Sequence, residues 1–198
     1  LLLVCATLLS SCALLGKNEP LVPRYFTPEY DGEAHAGKAR PDLQLRLGRV
    51  EGWSHLRERI ASRNSARELS YYEDLRWTER PEIYLRRSLS RALFEERGVV
   101  ESLSGRAITL EVELTAFEEI VKPHQARLQA LLVLRDDRTG LLEETITVDR
   151  PVEKSEGPDE ARAVVEALSQ ALHEGVDQIA DRVVARLSQA SQAPRAAK

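Results

Sequence analysis

The chain of 198 residues carries 28 basic and 32 acidic side chains, a net charge of −4, and nearly all of the basic ones are Arg. So even a balance gives no electrostatic footprint for nucleic acid and argues against that class of partner. Its two cysteines, Cys5 and Cys12, sit close together near the start. The rest of the chain therefore has no disulfide available, and any folded domain must rest on its apolar core.

The first twelve residues contain no charge. Leu1-Leu2-Leu3-Val4-Cys5-Ala6-Thr7-Leu8-Leu9 is followed by Ser10-Ser11-Cys12, an apolar run of signal-peptide length ending in small residues. Leu9 to Cys12 resembles a bacterial lipobox, a Leu, two small residues and the Cys that is diacylated before cleavage. Residues 1–11 read as a signal peptide and Cys12 as the first mature residue. No Met occurs in the chain, so Leu1 is read as lying inside a signal peptide whose basic start is missing. The apolar run through Leu15 falls short of the ~20 residues that span a bilayer, so the expectation is a lipid anchor. In the lipoproteins it resembles, an Asp after the lipidated Cys retains the protein at the inner membrane. Ala13 stands there, implying an outer-membrane site facing the periplasm.

Residues 12–41, with Pro20, Pro23, Pro28, Gly32, Gly37 and Pro41, bury little and read as a tether. Arg24-Tyr25-Phe26-Thr27 is its β-prone exception and suits an edge strand. The folded domain is expected over 42–188, and residues 189–198, small and polar, as a fraying tail.

Leu43, Leu45 and Leu47 alternate with polar residues, predicting a half-buried strand to about Val50. Ile60–Arg63 and Glu68–Tyr72 predict a hairpin turning through Asn64-Ser65. From Pro81 the period changes to that of a helix, with Ile83, Leu85, Leu89, Ala92 and Leu93 on one face, Thr78 as its cap and its end near Gly98. Ile108 to Ala116, Ala126 to Leu134 and Leu142 to Val148 predict three consecutive antiparallel strands, the last two joined through Asp136 to Gly140. Pro158-Asp159-Glu160 opens a long helix whose Val165, Leu168, Leu172, Val176, Ile179, Val183 and Leu187 recur every three or four residues. Gly175 inside it either weakens the helix or allows a close approach. These elements predict an α+β fold, a two-layer sandwich of a largely antiparallel sheet with two amphipathic helices packed on one face.

No catalytic or metal constellation stands out. His35, His55, His124 and His173 are scattered, Ser54-His55 lacks a nucleophile elbow, and no Gly-rich phosphate loop occurs. Glu111 and Glu113 share a strand face about 7 Å apart, which reads as a solvated surface. No catalytic residue, metal or cofactor is expected, and the chain reads as a non-enzyme. Tyr71, Tyr72, Arg76 and Trp77 are the candidate partner-binding residues, being of the types enriched at interface anchors, although core packing is the competing role for Trp77.

Together with the lipobox, the Glu68-Leu69-Ser70-Tyr71-Tyr72 run leading to Arg76-Trp77 and Pro81 resembles the auxiliary lipoproteins of ABC-type transport systems, the PqiC-like lipoproteins of MCE lipid transport. That resemblance implies a non-enzymatic component of a system moving lipid between the two membranes, held at the outer membrane by its acyl chains and partnered by an MCE-domain protein. The alternative is a scaffold or assembly lipoprotein that stabilises an outer-membrane β-barrel or envelope complex. Exposed sheet edges and the long helix also allow a homo-oligomer.

Overall fold

A computed structural model describes residues 21–28, 37–103, 107–137, 139–154 and 157–192. The lipobox, with Cys12, lies outside the described residues. The elements run β1 (Arg24–Phe26), β2 (Arg40–Gly52), β3 (Arg59–Ser65), β4 (Glu68–Trp77), α1 (Pro81–Ser90), a wide π turn (Arg91–Glu96), β5 (Val99–Glu101), β6 (Ile108–Ile120), β7 (Gln125–Arg135), β8 (Gly140–Pro151) and α2 (Pro158–Gln192).

β6 organises the sheet. One of its edges pairs antiparallel with β7, which pairs antiparallel with β8. The other edge is shared by two strands lying end to end, β2 beside Ile108 to Leu114 and β3 beside Glu118 to Ile120, both parallel to β6. β4 pairs antiparallel with β3, β1 adds parallel to β4, and β5 adds parallel to β2. The result is an α+β sandwich with a largely antiparallel sheet and both helices on one face. β2 and β3 pair parallel with β6 because β4 and α1 intervene before it, a crossover long enough to bring the chain back in the same direction.

Period-two patterning decides which face is covered. Leu110, Val112 and Leu114 of β6 and Ala126, Leu128, Ala130, Leu132 and Leu134 of β7 are buried beneath the helices. All seven apolar positions expected on the long helix are buried, and each such Leu, Ile or Val contributes about 1.5–3 kcal/mol against the cost of ordering the chain. Gly175 provides the close approach: a Cβ there would stand 2.7 Å from Leu128 Cδ2, so the helix axis settles lower on the sheet than a side chain would allow.

Three local expectations are corrected. The β3–β4 turn falls at Ala66-Arg67, since Ser65 already pairs with Glu68. Ile83 is exposed, and Tyr84 takes its place on the buried face, because 83 and 85 are some 200° apart around a helix. Thr78 does not cap α1. The helix begins after Arg80 with no side-chain cap, while the Thr78 amide donates to Phe26 O and its hydroxyl bonds Tyr84 Oη at 2.7 Å. The helix stops where expected: Gly98 has φ +65, and a Cβ there would meet Lys38 O at 2.2 Å, which only glycine accommodates.

Candidate interaction site

Strand alternation, shifted by a bulge between Tyr71 and Arg76, divides the aromatic segment of β4 between two faces. Trp77 is 1% exposed, tilted against Phe117 at 5.3 Å between ring centroids and edge-on to Tyr84 at 6.3 Å. It is a core residue and presents nothing to a partner. Tyr72 also turns toward the helix side, packing on the core and donating to Glu119 Oε2 at 2.6 Å. Burial, and then that bond to the carboxylate, push its phenol well above the ordinary tyrosine range. His124 Nε2 lies 3.3 Å from the other Glu119 oxygen.

Tyr71 and Arg76 face the opposite way, over the side of the sheet that no helix covers. Arg76 follows a wide bulge, since Arg59 pairs with Arg76 but Ala61 already pairs with Tyr71. The carbonyls freed by this bulge need donors, and arginine supplies them. Arg76 donates to Tyr72 O, Glu73 O and Leu75 O, and Arg59 adds a longer bond of 3.4 Å to Tyr72 O.

The loop between β2 and β3 folds onto this same face. Its entry is fixed by Trp53 N donating to Leu114 O and its middle by Tyr71 Oη donating to His55 O at 3.0 Å. His55 stacks edge-on against Trp53 at 6.1 Å and places Nε2 4.0 Å from Glu118. Glu118 is 1% exposed and is held through both carboxylate oxygens by Arg63, at 3.0 Å for the Nη2 bond. Trp53 itself is 49% exposed. Sequence reasoning missed it as a surface aromatic, and the signal was its position in a charged loop between two strand patterns.

Burial lowers the pKa of His55 from its ordinary 6.5; Glu118 pulls the other way and Arg63 reinforces the lowering. A base with a depressed folded pKa takes its proton more readily when unfolded, so stability is lost as pH falls below the unfolded value. Thermal melting should therefore show a midpoint that falls between about pH 7.5 and about pH 5.5, and His55→Gln should flatten that fall.

The candidates weighed for catalysis are not brought together. Glu111 pairs with Arg135 at 2.9 Å, and Glu113 is exposed on the same face. Among the described residues His55 Nε2 has no hydrogen-bond partner. Among the described residues no group of three His, Cys, Asp or Glu is placed to hold a metal, and no helix is long and apolar enough to cross a membrane. An open surface groove of about 700 Å³ runs between β2 and α1 past Arg49, Glu51, Arg80, Glu82 and Arg86.

No curated protein matches the sequence. A crystal structure of a protein from Xanthomonas campestris, assigned to the family DUF330, superposes with a TM-score of 0.68 at 20% identity, covering 85% of this chain and 99% of that one. A crystal structure of an uncharacterized protein superposes with a TM-score of 0.62 at 16% identity, covering 82% and 99%. At these identities the likeness is one of fold. The model of the family described as "ABC-type transport auxiliary lipoprotein component" matches residues 28–180. That span includes β2 through β8, α1, α2 as far as Ala180 and the Trp53 loop, and the chain belongs to the ABC-type transport auxiliary lipoprotein family.

Proposed function

We propose that this chain is a non-enzymatic lipoprotein, acylated at Cys12 and held at the periplasmic face of the outer membrane, where it serves an ABC-type system that moves lipid between the membranes through an MCE-domain protein. The observation that carries the reading is the family match across residues 28–180, taken with the Leu9-Ser10-Ser11-Cys12 sequence twelve residues ahead of β1. Two or three acyl chains, at about 0.8 kcal/mol per buried methylene, make attachment effectively permanent. Ala13 supports the outer membrane as the destination.

The fold suits a docking component more than a lipid container. Leu, Val and aromatic side chains fill the space between sheet and helices, and the grooves beside α2 at Arg150 and Glu174 and between β2 and α1 are open and lined by charge. A partner instead finds β8, a strand of 12 residues at the end of the sheet whose outer edge pairs with no other described strand. An unpaired edge of that length accepts an added strand through its backbone groups.

Affinity purification of the acylated protein from detergent-solubilised membranes should recover an MCE-domain protein. Repeated recovery of an outer-membrane β-barrel in its place would overturn the transport reading in favour of an assembly role.

A further inference from the structure

The wing of the sheet formed by β1, β4 and β3 carries a surface that neither the core nor partner pairing at β8 explains. Tyr25 pairs with Arg76 across β1 and β4, and Arg76 with Arg59 across β4 and β3. The three side chains therefore form one row on the uncovered face, with strands about 4.8 Å apart. Tyr71 lies beside the row, the Arg59 guanidinium 5.3 Å from its ring centroid. Its hydroxyl holds the loop that exposes Trp53. We infer that this patch of Tyr25, Trp53, Arg59, Tyr71 and Arg76 seats on the phosphate headgroups of the membrane that carries the anchor. The inference rests on the acylation of Cys12.

Charge supplies one element of the patch. Arg24, Arg63, Arg97, Arg127 and Arg135 each meet a carboxylate. Arg59 and Arg76 hydrogen-bond only backbone carbonyls, so their positive charges are not neutralised by any described carboxylate. A guanidinium has five donors; Arg59 uses one and Arg76 three, leaving N–H groups for phosphate oxygens, which guanidinium geometry fits. The aromatic residues supply the second element. Tyr25 is 64% exposed and Trp53 49%, and Trp and Tyr with a polar tip prefer the headgroup level.

The tether selects a membrane over an acidic protein surface as the occupant. Only nine residue steps separate Cys12 from Leu21, the first described residue, a reach of at most about 30 Å. Leu21 and Val22, both exposed, lead directly into β1 at the edge of the wing. An anchor so close keeps the patch at high effective concentration over the bilayer, so each weak contact counts. The sheet order β1-β4-β3-β6-β7-β8 then carries the β8 edge five strand spacings away, roughly 24 Å. A domain seated on this wing presents its free edge to the periplasm.

The chain has two tryptophans, and Trp77 is buried, so bromine-labelled lipid reads Trp53. The full acylated protein, reconstituted in vesicles of phosphatidylethanolamine and phosphatidylglycerol brominated near the headgroup, should lose about half of its Trp53 emission, with Trp53→Phe giving the baseline. Arg59→Gln with Arg76→Gln should restore the emission. Tyr25→Ser, at an exposed edge position that leaves the bulge untouched, should restore much of it even if the double variant melts early. Protein that floats with the vesicles while Trp53 stays unquenched would overturn the inference alone, as would quenching unaffected by Tyr25→Ser. Protein that fails to float would overturn the acyl anchor and the inference with it. Shielding of Trp53 that appears only when a soluble partner protein is added would assign the patch to that protein and overturn the membrane contact.

Discussion

Trp77→Ala should destabilise the domain by about 3–5 kcal/mol, a large part of the 5–15 kcal/mol that holds a typical domain together. The indole fills the space between Phe117 of β6 and Tyr84 of α1, so its loss opens a cavity exactly where sheet and helix layer join. Neither neighbour collapses easily into that space. Phe117 is fixed by its pairing with Leu128 of β7, and Tyr84 is tied through its hydroxyl to Thr78 and the Glu79 amide. The melting temperature should fall by on the order of 10 °C. Trp53→Ala, half exposed on the opposite face, should cost under about 1 kcal/mol. Equal losses for the two would mean that the core is not built around Trp77.

The second large effect is expected at Glu118. Arg63→Ala should cost about 3 kcal/mol, because it strands a carboxylate that is 1% exposed without its bidentate partner. His55 Nε2, at 4.0 Å from Glu118, is too far to replace the lost hydrogen bonds. Glu118→Gln removes the charge with the burial cost and leaves Arg63, whose side chain is 26% exposed, to bond the amide oxygen and water. That variant should cost nearer 1 kcal/mol. Urea titration of both resolves the asymmetry, and a costlier Glu118→Gln would contradict it.

The layered fold was legible where one face of an element is wet. Leu43, Leu45 and Leu47, the alternating runs on β6 and β7, and the long helix each show their period because their other face is polar, apart from Leu131 and Val133 on β7. Four things escaped that logic. The parallel pairing of β2 and β3 with β6 depends on a crossover through β4 and α1, which leaves no local mark. β5 is three residues long, too short for any period. The irregularity between Leu114 and Ala116 inserts one residue into β6, so the inward face passes from Leu114 to Phe117 and the last turn of alternation reverses. Glu118 and Glu119 lie beyond the strand expected to end at Ala116, and each is buried on its own face of the sheet, one held by Arg63 and the other by Tyr72.

The interaction site was legible by residue type and not by face. Tyr71, Tyr72, Arg76 and Trp77 form one run in the sequence, but the strand sends Tyr72 and Trp77 inward and Tyr71 and Arg76 outward. Tyr25, Trp53 and Arg59 join the outward pair through strand register and loop packing, which no spacing in the sequence encodes.

The proposed function makes Cys12 the chemical group through which the folded domain would act at a membrane. Cys12→Ser, expressed in cells lacking the native protein, tests it through fractionation and through the envelope's permeability to detergent. The variant should fold with an unchanged melting temperature, appear in the soluble periplasmic fraction, and fail to restore the barrier. Full restoration by a soluble variant would contradict the account.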